Sequence, residues 1–179
     1  PLPHQVTSLN GTSDDLTIDK LVDSVRVAFV NVPSSGSSLS DRVNMPEADV
    51  IAQIAFSAYR KYSSSFDANE TIGVIVPYRN QISAIRTVLA ERLDTPDHLL
   101  LHITIDTVER YQGSQRNYII YGFTVQKVYQ LRFLTETTFQ EDGMTIDRKL
   151  NVAMTRAREY LILVGNRTLL SRVPLYKRL

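Results

Sequence analysis

Residues 72–76 read IGVIV, five positions without a polar side chain, and Pro77 stops the run. A strand with one face in water alternates apolar and polar side chains, so an unalternating run is a strand covered on both faces, as parallel strands are. Such a strand needs helices on both sides of its sheet, and the chain supplies helix-like segments in order. Residues 26–32 (RVAFVNV) form a β-branched run that ends at the Ser/Gly cluster PSSGSSLS. After Pro46, the positions Ile51, Ile54, Ala55, Ala58 and Tyr62 recur at three- and four-residue steps, one face of a helix closed by SSS at 63–65. Ile82, Ile85, Val88, Leu89 and Leu93 repeat the pattern, with Arg86, Glu91 and Arg92 on the outer side. Runs at 100–105, 118–125 and 160–164 read as three more strands, and 146–158 as a helix before the last. Five strands alternating with helices predict an α/β fold with a mostly parallel sheet flanked by helices.

Two stretches resist assignment. The opening 24 residues mix polar turns with the short pattern LTIDKLVDSV, and 126–145 is too long and polar for a routine connection. The second is expected to be an insertion on the functional edge. The remainder, 25–179, reads as one domain.

Charge excludes the simplest route to function. Twenty Lys+Arg against nineteen Asp+Glu leave a net charge of +1, so any grip on a polyanion must come from a local patch. The absence of cysteine removes disulfides and thiolate zinc sites, and His4, His98 and His102 show no metal-binding spacing, so no metal ligand is expected. No run approaches the ~18 apolar residues that span a bilayer, and no signal-like segment opens the chain. The expectation is a cytoplasmic protein without a membrane partner.

Ligands of an open parallel sheet bind beyond the carboxyl ends of its strands. PYRNQ (77–81) and DTVERYQGSQR (106–116) follow predicted strands, and LNVAMTRAR (150–158) is expected to reach the same edge by another route. In the last, Arg156 and Arg158 lie two positions apart on the predicted helix and so point in different directions. On two arginines alone, a solvated basic helix end competes with a phosphate-binding finger.

The full strings weigh toward the finger through a family resemblance. LNVAMTRAR, preceded by DRK and followed by YLILVGN, resembles motif VI of superfamily 1 helicases, in the branch of the RNA-decay and Okazaki-processing helicases. IGVIVPYRNQISAIR resembles motif IV and TVERYQGSQRNYIIYGFTV resembles motif V, in the family's order. The resemblance covers about residues 25–170 and implies the second, C-terminal RecA-like domain of a P-loop NTPase, here without its own Walker A loop. The DRKLNVAMTRAR form and the EDG-containing insertion resemble bacterial members most.

By that resemblance, Arg156 is the catalytic arginine that reaches the γ-phosphate of ATP across a cleft, and Arg158 is a second basic position of ATP-binding or structural use. Thr155 and Asn151 flank the finger. Gln112 and Gly113 match the QG core that couples nucleotide to strand movement. Gln115 stands where the family commonly has a glutamate accepting from the ribose, and Ser114 where a basic residue is frequent; an amide oxygen can still accept, without charge assistance. Thr107 matches a hydroxyl that contacts a backbone phosphate, and Tyr78 and Arg79 are positioned to stack on a base or bind phosphate.

No GxxxxGK[ST] and no DE-ended strand occur in the chain, so the loop that cradles phosphates and the carboxylate that holds Mg²⁺ are absent. The resemblance places both in a preceding RecA-like lobe of the same polypeptide. Four expectations follow: the fragment alone is inactive, ATP and Mg²⁺ are held mainly by that other lobe, the partner is single-stranded nucleic acid, and DNA is favoured over RNA. The competing class is a non-catalytic α/β module that binds nucleic acid or protein.

Overall fold

The computed structural model describes residues 8–10, 15–33, 42–93, 98–111, 115–177 and 179. Its strands are β1 (Ser8–Asn10), β2 (Val27–Asn31), β3 (Ile72–Val76), β4 (Thr104–Thr107), β5 (Arg116–Gly122), β6 (Thr138–Glu141), β7 (Met144–Asp147) and β8 (Ala157–Gly165). The helices are α1 (Asp15–Ser24), α2 (Met45–Tyr62), α3 (Arg79–Arg92), α4 (Leu131–Thr135), α5 (Arg148–Arg156) and α6 (Arg167–Leu170). Six strands make one sheet in the order β1-β2-β8-β5-β3-β4, every neighbouring pair parallel, and β6 and β7 form a separate antiparallel hairpin. This is the α/β architecture expected of a RecA-like lobe.

The unalternating runs divide their side chains between two cores, as a period of two requires. Val74, Val76, Tyr118, Ile120, Ile162 and Val164 pack with α1, α2 and α3 on one face. Ile75, Ile119, Tyr121, Leu161 and Leu163 pack with α4, α5 and α6 on the other. At Gly73 a side chain is excluded, because a Cβ there would overlap the Tyr111 hydroxyl.

Three boundaries differ from expectation, each for a physical reason. Residues 100–105 do not form one strand: Leu99–His102 is a 3-10 turn that buries Leu100 and then Ile103, a three-residue step that an apolar run conceals. β5 stops at Gly122 rather than running to Val125, since Thr124 takes a positive φ of 55°, a left-handed conformation that no strand continues. The helix of motif VI ends at Arg156, not Arg158. Ala157 is already extended (φ −78°, ψ 120°) and opens β8, so Arg158 lies on a strand.

The described parts of the stretches that resist assignment in the sequence form regular elements. Residues 8–10 add an edge strand and 15–24 a helix packed on α2, where Arg60 pairs with Asp19 at 2.7 Å. The stretch 126–145 holds a 3-10 turn (Val128–Gln130), α4 and most of the β6–β7 hairpin. Among the described residues, no helix is long and apolar enough to cross a membrane.

Candidate functional site

The pairing of Val76 with Thr107 sets the carboxyl ends of β3 and β4 side by side. The chain beyond them opens a groove of about 440 Å³ lined by Tyr78, Arg79, Thr107, Arg42 and Arg110. Tyr78 caps α3 in extended conformation, and burial raises its hydroxyl pKa against the opposing charge of Arg42. Thr107 closes a turn, its carbonyl accepting from the amides of Arg110 at 3.1 Å and Tyr111 at 3.0 Å. The three residues named from motifs IV and V thus meet in one place. The sequence carries little signal for Arg42, which precedes the helix start, whereas Arg110 lies three residues after Thr107, one turn away.

Gln81, the last residue of PYRNQ, does not face this groove. It is fully buried and clasps Asn44 in both directions: its Oε1 accepts from the Asn44 amide at 2.8 Å, and its Nε2 donates to the Asn44 carbonyl at 3.0 Å. Asn44 caps α2, and Glu47 one turn later is equally buried. The Oε1 of Glu47 accepts from the amide of Thr124 at 2.8 Å and from its hydroxyl at 3.2 Å, which holds that residue in its left-handed conformation. Burial pushes the Glu47 carboxyl up to about 8, the two Thr124 bonds opposing. This internal polar chain braces the loops under the groove, and only a carboxylate in an otherwise apolar helix face hints at it in the sequence.

The segment containing Arg156 lies elsewhere, which corrects the expectation of a single shared edge. α5 runs without a loop into β8, and Ala157 pairs with Arg116 at the beginning of β5. Arg156 and Gln115 therefore stand at the amino edge of the sheet, and Tyr78, Arg79 and Thr107 stand at the carboxyl edge, about the length of β5 (Arg116–Gly122) away, ~20 Å at ~3.3 Å per residue.

At the amino edge, α5 is fixed at both ends. Asp147 caps it, its Oδ1 accepting from the amides of Lys149 at 2.8 Å and Leu150 at 3.3 Å, while its Oδ2 accepts from the Tyr176 hydroxyl at 2.5 Å. At the other end, Gln115 Nε2 donates to the Thr155 carbonyl at 3.4 Å, and the Thr155 hydroxyl turns back to the Val152 carbonyl at 3.0 Å. Arg156 is half-buried, with its Nε buried and without a hydrogen-bond partner among the described residues. Arg158, by contrast, is exposed on β8 and 3.6 Å from Glu70. The two arginines sit in different surroundings, through a helix-to-strand change rather than on two faces of one helix. Asn151 is exposed on α5. Gln112 and Gly113 lie outside the described residues. His98 accepts from the Leu100 amide at 3.2 Å through Nδ1, and no cluster of three potential metal ligands occurs among the described residues.

Comparison with known proteins identifies the family of the chain. A family model described as an AAA domain matches residues 5–168. Regulator of nonsense transcripts 1 of Dictyostelium discoideum is 31% identical over 149 residues, 83% of this chain and 10% of that protein. The DNA polymerase alpha-associated DNA helicase A of Saccharomyces cerevisiae is 36% identical over 110 residues, covering 60% of this chain and 14% of the relative. The DNA replication ATP-dependent helicase/nuclease JHS1 of Arabidopsis thaliana is 33% identical over 135 residues, 74% and 9% of the two. The chain spans about a tenth of the length of these relatives, which are eukaryotic and lend no support to a bacterial affinity. With its family match, its parallel sheet and its ordered motifs, the chain belongs to the AAA domain family, as a C-terminal domain of the superfamily 1 helicase type.

Proposed function

We propose that this chain is the C-terminal lobe of an ATP-dependent helicase or translocase, closing on ATP with Arg156 and holding single-stranded nucleic acid with Tyr78, Arg79 and Thr107. The observation that carries the reading is the Arg156 side chain: a guanidinium on a helix capped by Asp147 and met at its other end by Gln115, its buried Nε lacking a hydrogen-bond partner among the described residues. An unsatisfied buried donor costs about 1–3 kcal/mol, and an anion brought from outside relieves that cost. The planar, permanently charged fork of arginine fits the spread charge of a transferring phosphoryl group. Mg²⁺, held with the nucleotide mainly by a preceding lobe, supplies charge neutralisation between the phosphates. This chain's own part is to orient Arg156 and, through Gln115, to tie the segment after the QG core to the same helix.

At the opposite edge, the arginines of the groove bind phosphates and Tyr78 offers a ring face to a base, contacts that position a strand without reading its sequence. Neither kind of contact interrogates the 2′-hydroxyl. The names of the relatives point to DNA in two cases and to transcripts in one. DNA is the first strand to test because it is the expectation from the motifs, with RNA as the parallel arm.

The test is Arg156→Ala in the intact protein. ATP turnover is expected to fall about 10³- to 10⁵-fold, with strand binding in the absence of nucleotide unchanged. Turnover within a few-fold of the unsubstituted protein sinks the finger assignment and leaves the non-catalytic module as the better reading.

A further inference from the structure

A second hollow of about 400 Å³ adjoins the groove at the carboxyl edge, bounded by Arg42, Tyr78, Tyr129, Gln130 and Phe133. Arg42 and Tyr78 belong to both walls. The new wall comes from the stretch after β5, and motifs IV to VI do not account for it.

That wall is rigidly mounted. Gln130 is buried, and its Oε1 accepts from the amides of Gln126 and Lys127, each at 2.8 Å, which locks the turn into α4. Leu131 and Leu134 are buried in the second core and anchor the helix from below. The opposite face presents Val128, Tyr129 and Phe133 to solvent, at 49%, 51% and 50% exposure. One exposed apolar side chain is ordinary; three within six residues, two of them aromatic and lining a hollow, mark a surface made to be covered. Tyr129 and Phe133 are four residues apart through a continuous helical stretch, so they share a face. Around them cations outnumber anions: Lys127 Nζ lies 5.9 Å from the Tyr129 ring centroid, Arg42 lines both hollows, and Arg79 and Arg110 line the first groove together with Glu109.

We propose that Tyr129 and Phe133 are a base-stacking platform that extends the strand track beyond Tyr78, so that a single-stranded nucleic acid lays its phosphates on the arginines and its bases on these two rings. The proposal rests on the reading of the neighbouring groove as strand-binding. The occupant follows from the shared wall: a ligand reaching both hollows meets three guanidinium groups against one carboxylate, Glu109, and then two aromatic faces, the combination that suits a polyanion with flat, apolar bases. Stacking on these rings is sequence-tolerant, since every base has a π-face.

The experiment measures binding of the intact protein to a fluorescent oligothymidine DNA, to oligouridine RNA of the same length, and to an abasic DNA strand of that length. Replacing both rings (Tyr129→Ala with Phe133→Ala) is expected to weaken binding of the base-containing strands about tenfold or more and to leave the abasic strand unchanged. Arg79→Ala should weaken all three alike. Tyr129→Trp with Phe133→Trp should retain binding, which separates lost stacking from lost folding. Unchanged affinity of the double alanine variant for every strand, as a peptide-binding surface would give, overturns the proposal, and so does an equal loss on base-containing and abasic strands. If the unsubstituted protein binds no strand at all, the strand-binding reading itself fails, an outcome distinct from the other two.

Discussion

Gln115 Nε2 donates to the main-chain carbonyl of Thr155 at 3.4 Å, joining the residue that leads into β5 to the last turn of α5, one position before Arg156. The bond is at the long end for an N–H donor and exposed, so it steers rather than stabilises. The contact depends on the amide, which can donate to this carbonyl where a carboxylate cannot.

Gln115→Glu is therefore expected to change stability by less than about 1 kcal/mol while altering the nucleotide preference of the intact protein. A carboxylate accepts from ribose hydroxyls with charge assistance. The KM for ATP should fall relative to that for 2′-deoxy-ATP by several-fold, with kcat little moved. An unchanged KM ratio would show that position 115 does not meet the sugar.

Asp147 carries two duties at once, as cap of α5 and as acceptor for Tyr176. Asp147→Ala loses a cap contribution of about 1 kcal/mol and strands a Tyr176 hydroxyl in a site where the tyrosine is 2% exposed, adding about 1–3 kcal/mol. Urea unfolding should show a lower midpoint with an unchanged slope. Asp147→Asn keeps an acceptor for the helix amides and should recover about half the loss.

The buried carboxyl of Glu47 makes stability depend on pH in a definite direction. Its folded pKa, raised by burial to about 8, lies above the ordinary 4.5, so the folded state holds a proton that the unfolded state releases. Stability from this group is full below pH 4.5 and is lost as pH rises toward 8, at no more than about 1.4 kcal/mol per pH unit. Glu47→Gln keeps an acceptor for the Thr124 amide and cannot ionise. Its unfolding free energy should be flatter across that range and should match or exceed that of the unsubstituted protein above pH 8. A parallel pH profile for the two proteins would remove Glu47 as the cause.

Much of this was legible in the sequence. The layers, the parallel sheet and the positions of β3 and α3 follow from IGVIV and from the three- and four-residue spacing of Ile82, Ile85, Val88 and Leu89, because periodicity is a local property of the chain. That Tyr78, Arg79 and Thr107 stand beyond the carboxyl ends of strands follows too, and the pairing of β3 with β4 then brings them together. The 3-10 turn at Leu99–His102 was hidden because an apolar run does not reveal its own period over four residues.

By itself, the sequence determined the fold class and which residue types stand beyond each strand, since local patterning encodes both. Only the tertiary structure decided that Arg156 and Tyr78 stand on opposite edges of the sheet, because that depends on α5 entering β8 without a loop and on β8 pairing with β5. It also decided that Glu47 is buried against Thr124, 77 residues away, and that Tyr129 and Phe133 face a hollow shared with Arg42. These are contacts between distant segments. A local pattern says which face of an element is apolar, but which neighbour meets it is settled when the whole chain packs.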